Sequence, residues 1–185
     1  MNGPDLLELL LHGNQLKRTA RTGWAQRGIA NPEDVAAHSY GVAFTALALA
    51  ELVAPRPDLT AVLVMALLHD LPEGLTSDIP TPAWRYLPRS EKKGAERRAL
   101  EDIVAGAPFA PAFLRWWDEL VANETVEARL VHDADKLDQV LQAYVYERQT
   151  GNRQLAEFWT NPHVFHTAEA QAVYDELVRR RATGE

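Results

Sequence analysis

The chain has 185 residues, 46% hydrophobic and 24% charged, which is typical of a folded globular domain and excludes a disordered or fibrous protein. It has no cysteine, which excludes disulfides, thiolate zinc sites and cysteine nucleophiles. Its net charge of −7 argues against nucleic acid or an anionic membrane as a partner. We see neither a secretory signal nor an apolar run of the roughly 20 residues that span a membrane, and we expect a cytoplasmic protein.

The apolar pattern predicts helices from the N-terminus onward. Leucines at helical spacing predict a first helix. The Asn-Pro-Glu-Asp sequence at residues 31–34 predicts the start of a second, because it offers a capping side chain, a proline and first-turn acids. Asp58 opens a third helix whose residues 59–68 are almost all apolar, which is typical of a buried helix. Four prolines between residues 71 and 88 then predict a long loop, and such loops are often functional.

More helical patterns follow this loop. Ser90 caps one helix, a short helix carries Trp116 and Trp117, and residues 124–150 form the longest periodic stretch. A short helix and a final amphipathic helix complete the pattern. No alternating pattern predicts a strand, and no linker divides the chain. The sequence therefore predicts a single all-α domain over residues 1–185, with about six to eight helices.

Two adjacent His-Asp pairs are candidates for chemistry. His69 and Asp70 end the buried helix, where a carboxylate needs partners because burying it unpaired is costly. His132 and Asp133 lie in a polar stretch, which predicts that they are mostly solvated. His38 alone would be an ordinary structural histidine. Combined with the first pair and an acid from the long helix, it would give two imidazoles and two carboxylates, a ligand set suited to a catalytic divalent metal.

A basic segment stands out in this acidic chain. No acidic residue occurs between Glu8 and Glu33. The segment predicts either a site for a small anion such as phosphate or a solvated basic face. Its basic residues are Lys17, Arg18, Arg21 and Arg27.

Three sequence motifs resemble those of a known family: LKRTARTGW at residues 16–24, PEDVAAHS at 32–39 and HDLPEGLTSDIPTP at 69–82. With the order His, His-Asp, Asp, they resemble the 5′-deoxynucleotidase branch of the HD-domain metal-dependent phosphohydrolases. The HDLPE and DIPTP motifs are the most specific part. The resemblance runs from about residue 16 to the end of the long helix and implies an HD domain with a metal-site core at about residues 31–150.

The resemblance also implies a metal site. Asp135 is chosen as the last ligand because ADKLDQVLQAYVYE resembles the family's final Asp helix, although a shift of one turn would select Asp138. The ion is Mn, Co, Fe, Ni, Zn or Mg, since such ligands accept several metals. An alternative role for Glu73 and Asp78 is to bind a second metal ion. The implied ligands of the principal metal are His38, His69, Asp70 and Asp135.

Catalytic and substrate-binding residues follow from the same resemblance. Glu73 corresponds to the family's acid/base glutamate, and Arg18 to the arginine that orients the phosphate. Ser77 stands where many relatives have glycine. Each acid on its own could equally be an ordinary loop residue. The implied substrate-binding residues are Arg18, Trp24, Asp70, Asp78, Ile79, Pro80 and Thr81.

The expected activity is hydrolysis of 2′-deoxyribonucleoside 5′-monophosphates to nucleoside and phosphate. Two alternatives remain open: an HD hydrolase of an alarmone, a triphosphate or a modified biosynthetic nucleotide, and a non-catalytic helical interaction module. The expected partner is a small nucleotide, with neither nucleic acid nor membrane. Related HD nucleotidases pair, and we expect a homodimer through the apolar residues Leu114, Trp116, Trp117 and Leu120.

Overall fold

The computed structural model describes residues 1–80, 82–83, 86–160 and 163–184. The described residues form no β-strand, only one isolated bridge between Ala20 and Asp34. A 3₁₀ turn, Leu16–Arg18, follows the first helix. The α-helices in chain order are α1 (Gly3–Gln15), α2 (Thr22–Ala25), α3 (Val35–Ala50), α4 (Leu59–Leu68), α5 (Glu73–Thr76), α6 (Arg89–Ile103), α7 (Ala110–Ala122), α8 (Val126–Thr150), α9 (Ala156–Thr160) and α10 (Ala168–Thr183).

Seven of the helices in the described part of the chain have ten or more residues, which confirms the predicted all-α fold of six to eight helices. The other three, α2, α5 and α9, have only four or five residues each. The short helix predicted after the long one corresponds to α9, whereas α2 and α5 are too brief for an apolar period to be recognised in sequence. Two of them, α2 and α5, carry residues of the candidate site.

Helix α8 is the central element of the core and packs against α3, α4, α7 and α10. Leu130 and Leu137 are buried, as their spacing predicts, whereas Leu141 is 44% exposed. Helix α4 buries Val62 and Met65 completely against this core. Because α4 is buried up to its last turn, the residues that follow it emerge between α3 and α8.

Helix α3 begins later than the sequence pattern predicts. Its N-cap is Asp34, whose Oδ1 accepts from the backbone N–H of Ala37 at 2.8 Å. The predicted start at residues 31–34 is wrong because this segment pairs with another stretch of chain. Asp34 forms the bridge to Ala20, and the N–H of Val35 donates to the carbonyl of Thr19 at 2.8 Å.

The apolar residues of α7 lie inside the protein. Trp117 is 2% and Leu120 is 4% exposed, while Leu114 and Trp116 are partly buried against a second apolar cluster formed by α4, α6 and α7. They are therefore not available as the predicted dimer surface. The physical reason is that α6 is mostly polar, so α7 supplies much of the apolar area that covers this side of α4.

One 18-residue window, residues 59–76, is apolar enough to cross a membrane by length and composition alone, with a mean hydropathy of 1.3. Helix α4 covers only its first ten residues, and 44% of the window is buried in the protein. The remainder contains His69, Asp70 and Glu73. Such a window is weak evidence for a span, since core helices pass the same test.

Candidate metal centre and substrate cavity

Four predicted side chains converge where α3, the end of α4 and α8 meet. Nε2 of His38 lies 3.2 Å from Oδ1 of Asp135 and 3.3 Å from Nε2 of His69. Oδ2 of Asp70 lies 3.2 Å from Nε2 of His69 and 3.6 Å from Nε2 of His38. His38 is completely buried and His69 nearly so. The structure thus brings together all four residues that the resemblance implies as ligands.

The outer ring nitrogens fix the orientation of both imidazoles. Nδ1 of His69 lies 2.7 Å from the carbonyl oxygen of Ala66, and Nδ1 of His38 lies 2.8 Å from Oδ2 of Asp138. A carbonyl or carboxylate only accepts, so Nδ1 carries the proton in each ring and the lone pair of Nε2 faces the cluster. Two lone pairs that face each other at 3.3 Å require a positive charge between them. Two imidazoles and two carboxylates fit a divalent metal there.

The charges of the cluster agree with this requirement. Burial and the nearby Arg21 lower the pKa of His38, but its hydrogen bonds to Asp135 and Asp138 outweigh them and raise it to about 9. Burial raises the pKa of Asp135, but the bond to His38 and the two imidazoles lower it well below its usual range. The carboxylates of Asp70 and Asp135 therefore stay ionised, as ligands of a cation must be.

Arg21 lies at the cluster, whereas Arg18 does not. Nη1 of Arg21 is 3.4 Å from Oδ2 of Asp70, and the side chain is only 13% exposed. Arg18 is exposed and donates from Nη2 to Oε1 of Gln15 at 2.7 Å, outside the cavity lining. The reason is local: Arg18 ends the 3₁₀ turn and points back along α1, while Arg21 precedes α2 and faces the cluster.

Glu73 is a buried acid at the start of α5. It is 3% exposed, its Oε1 lies 3.6 Å from Nζ of Lys92, and its Oε2 has no hydrogen-bond partner among the described residues. Burial first, and then the charges of Asp70 and Asp78, raise the pKa of Glu73 to about 9, against the opposing effect of Lys92 and Arg21. In the metal-free protein the raised pKa favours the protonated form of this carboxyl at neutral pH.

The loop after α5 is tied to α2 through Asp78. Its Oδ2 accepts from the backbone N–H of Thr22 at 2.7 Å, and the hydroxyl of Thr22 donates to the carbonyl of Asp78 at 2.8 Å. Ile79 and Pro80 line the cavity beside it. Thr81, also predicted to bind substrate, lies outside the described residues.

Ser77 has a positive φ of 61°, a backbone conformation that favours glycine. This agrees with the glycine that the resemblance implies for many relatives at this position. Metal-capable clusters in the described chain are His38–His69–Asp135 and Glu33–His38–Asp138. Neither contains Glu73 or Asp78, so a second ion there stays a prediction.

Trp24 is packed into the core at the edge of the cavity. It is 1% exposed, and its Nε1 donates to Oε1 of Glu33 at 3.0 Å. Its ring packs against Phe158 at a centroid distance of 4.0 Å and edge-on against Tyr146 at 5.4 Å. Trp24 and Phe158 both line the cavity, so the predicted contact of Trp24 with the substrate stays a prediction.

A cavity of about 690 Å³ opens beside the cluster. The metal end is lined by His69, Asp70 and Asp135, and the opposite wall comes from α7 and the segment before α10. The basic residues in the lining are Arg21, Arg89, Lys92, Lys93 and Lys136. This cavity is large enough for a nucleotide, and its basic lining suits an anion.

Comparison with known proteins identifies the family. A sequence model described as HD domain matches residues 13–174. The chain belongs to the HD domain family. It is 30% identical to the 5′-deoxynucleotidase HDDC2 of Danio rerio over 96% of this chain and 88% of that protein. It is 35% identical to the protein of that name from Dictyostelium discoideum, over 78% and 79%. A conserved hypothetical protein from Pyrococcus furiosus has a similar structure, with a TM-score of 0.81, 36% identity and coverage of 94% and 99%.

Within this HD domain, Asp133 has a structural role. It is completely buried, and its carboxylate accepts from the backbone N–H groups of His166 at 3.0 Å and Thr167 at 2.9 Å. His132 is half-buried, and its Nε2 donates to the carbonyl of Leu120 at 2.9 Å. The prediction that His132 and Asp133 are mostly solvated is wrong, because the segment before α10 folds over this side of α8.

Sequence reasoning missed the basic residues that α6 and α8 add to the HD domain cavity. Nζ of Lys92 lies 2.7 Å from Oε1 of Glu96, itself 2% exposed. Nζ of Lys136 donates to the carbonyl of Phe158 at 2.7 Å and to Oε1 of Gln139 at 3.2 Å. For Lys92 the available signal was its i,i+4 spacing to Glu96, and such Lys-Glu pairs also stabilise exposed helix faces.

Proposed function

We propose that this protein is a metal-dependent 5′-deoxynucleotidase, which hydrolyses 2′-deoxyribonucleoside 5′-monophosphates to a deoxynucleoside and phosphate. The observation that carries the proposal is the convergence of two imidazoles and two carboxylates beside Arg21 and Glu73 in one cavity. The names of the relatives from Danio rerio and Dictyostelium discoideum support the substrate class.

The principal metal would be held by His38, His69, Asp70 and Asp135. When bound, it supplies Lewis acidity toward a phosphoryl oxygen and lowers the pKa of a water. We propose Mn, Co, Fe, Ni, Zn or Mg, since nitrogen and oxygen ligands of this type select a metal largely by availability.

Arg21, rather than Arg18, would bind the phosphate. Burial lowers the pKa of Arg21, but the charges of Asp70, Asp78 and Asp135 outweigh that effect and raise it, so the guanidinium stays charged. Its planar donors match two phosphoryl oxygens and would neutralise charge that develops there. This position lies between the metal ligands and the loop that carries Asp78.

Glu73 would move the proton. As water attacks phosphorus and the bond from phosphorus to the 5′-oxygen breaks, that oxygen needs a proton to leave as a hydroxyl. The buried carboxyl of Glu73, next to the proposed metal ligands, would donate that proton from its Oε atom. It then regains a proton from the attacking water.

The preference for deoxy sugars rests on the relatives' names and on the loop before α6. Trp24, Ile79 and Pro80 all line the cavity and are the described residues that would crowd a 2′-hydroxyl. A steric clash discriminates more strongly than a missing contact.

A phosphate-release screen with all ribo- and deoxyribonucleoside monophosphates and each candidate metal tests the proposal. Higher kcat/KM for deoxynucleotides supports it, and equal values for AMP and dAMP contradict the deoxy preference. Release of pyrophosphate from an alarmone would favour the alternative of an HD alarmone hydrolase.

Elemental analysis tests the metal ligands. His69→Ala and Asp135→Ala should lose the metal. Loss of metal in Asp138→Ala with retention in Asp135→Ala would show that the ligand is Asp138, one helical turn later.

We propose in addition that a second copy of the chain covers α3. Tyr40, Phe44 and Leu47 follow each other at helical spacing and are 71%, 62% and 37% exposed, with the first two rings stacked. Exposed apolar patches of this kind mark interfaces.

Light scattering should give twice the 20.7 kDa monomer mass. Phe44→Glu should reduce it to the monomer and Leu52→Glu, an exposed site off this stripe, should not. A wild-type monomer at micromolar concentration contradicts the proposal.

A further inference from the structure

Gly41 and Asp138 approach each other so closely that no side chain fits between them. Gly41 lies on α3, and a Cβ atom added to it would lie 2.0 Å from Oδ1 and 2.7 Å from Cγ of Asp138 on α8. Both distances are far shorter than any carbon contact tolerates. The carboxylate of Asp138 therefore occupies the space that a side chain at position 41 would need.

The other oxygen of this carboxylate holds His38. Oδ2 of Asp138 accepts from Nδ1 of His38 at 2.8 Å, one helical turn before Gly41 on α3. This bond keeps the proton on Nδ1 and directs Nε2 toward Asp135 and His69. Carboxylates that orient a metal-binding histidine in this way strongly affect metal affinity.

Another carboxylate lies near the same ring but is already engaged. Glu33 groups with His38 and Asp138 within 4.8 Å. Its Oε1 accepts the indole N–H of Trp24 at 3.0 Å, inside the core. The hydrogen bond to Nδ1 of His38 comes from Asp138 and not from Glu33.

We propose that Gly41 is a positioning residue of the metal centre, because its missing side chain leaves the space from which Asp138 orients His38. The inference rests on the metal site of the proposed function and is independent of the substrate. An alanine at position 41 would push the carboxylate aside. The fold can adapt, since a carboxylate is the mobile end of a side chain and alanine favours a helix over glycine. The contact with His38 would be lost.

Cobalt binding tests this inference without any nucleotide. The full chain is stripped with a chelator and titrated with Co²⁺, and the visible absorption of the bound ion and competition with a chelator give the affinity. Gly41→Ala should bind Co²⁺ roughly 10- to 100-fold more weakly than the wild type. Gly94→Ala is the matched control, because it changes another helical glycine whose Cβ would meet only the end of Arg98 at 3.6 Å. It should bind like the wild type.

A double variant separates positioning from general damage. Asp138→Ala alone should weaken Co²⁺ binding, and adding Gly41→Ala to it should weaken binding no further, because both changes remove one contact. Wild-type affinity in Gly41→Ala, or additive losses in the double variant, overturns the inference. If Gly41→Ala does not fold, wild-type affinity in Asp138→Ala overturns it. A wild-type chain that binds no Co²⁺ overturns the metal centre as well, whereas tight binding without nucleotide hydrolysis overturns only the proposed function.

Discussion

The two ends of the reaction site are built on different kinds of structure. At the metal end, His38 and Asp135 project from long buried helices, and His69 follows a helix whose last turn is in the core. At the proposed phosphate end, Arg21 precedes a four-residue helix and Glu73 begins another. The first end is fixed by the core of the domain, and the second by a small number of polar contacts.

This difference indicates that the two ends of the site have separate functions. Ligands of a metal tolerate a displacement of only about 0.5 Å from the required geometry, and rigid helices limit such displacement. Groups that bind a phosphate or move a proton must admit and release a substrate, which loops and short helices permit. Substitutions at the two ends should therefore separate metal binding from turnover.

The largest separation is expected at Glu73. Glu73→Gln keeps the shape of the side chain but removes its acid, so kcat should fall by roughly 10²- to 10⁴-fold. Metal content, measured by elemental analysis, should remain that of the wild type. Glu91→Gln, an exposed acid on α6, is the control and should change neither quantity. Near-normal turnover would remove Glu73 from the mechanism, and loss of a second ion would place it in a second metal site.

Arg21 should come next. Loss of charged hydrogen bonds to phosphate costs about 1.5–3 kcal/mol, so Arg21→Ala should lower kcat/KM by roughly 10- to 150-fold for every nucleotide alike. Arg18→Ala should have little effect, because that guanidinium bonds Gln15 at the surface. Steady-state kinetics on two nucleotides with different bases checks both statements. A large effect of Arg18→Ala with a small effect of Arg21→Ala would reinstate the residue that the sequence indicated.

The sequence predicts the metal end better than the phosphate end for the same structural reason. The motifs around His38, His69 and Asp70 lie on or directly after long helices, and the choice of Asp135 over Asp138 came from the family resemblance. Arg18 and Arg21 share one basic segment, and only the 3₁₀ turn between α1 and α2 decides which of them faces inward. No periodicity encodes that turn.

Long-range packing accounts for further features that the sequence does not predict. Trp24 is buried by Phe158, more than a hundred residues away, and Asp133 is buried by the segment that precedes α10. Neither contact leaves a trace in the local sequence. The apolar face of α7 was recognised correctly as a surface that must be covered, but the sequence could not tell whether a second copy or the same chain covers it.

The raised pKa of Glu73 predicts a pH-dependent effect on stability. The folded carboxyl holds its proton up to a pH of about 9, whereas the unfolded one loses it near 4.5. Between these values the unfolded state binds fewer protons, so stability of the metal-free protein falls as pH rises. Glu73→Gln removes this loss. Thermal melting in a chelator should show a higher midpoint for Glu73→Gln than for the wild type at pH 8, and a smaller difference at pH 5. An equal difference at both pH values would contradict a raised pKa of Glu73 in the folded protein.

The smallest effect is expected at Ser77, which joins α5 to Asp78. Its φ of 61° and ψ of 162° lie in a region that essentially only glycine occupies without strain. Ser77→Gly should therefore stabilise the protein by about 1 kcal/mol, or roughly 2–4 °C in the melting midpoint for a chain of this size. Thr76→Gly, one residue earlier inside α5, should lower the midpoint instead, because glycine weakens a helix.

This change also tests what holds the phosphate end in place. If the hydrogen bonds between Thr22 and Asp78 position the loop, Ser77→Gly leaves kcat/KM unchanged while the melting midpoint rises. If the strained backbone itself directs Asp78, the midpoint still rises but kcat/KM falls, and metal content stays constant because no proposed ligand lies on α5 or on the loop after it. A fall in metal content would contradict the separation of the two ends, since it would show that the loop after α5 also supports the metal site.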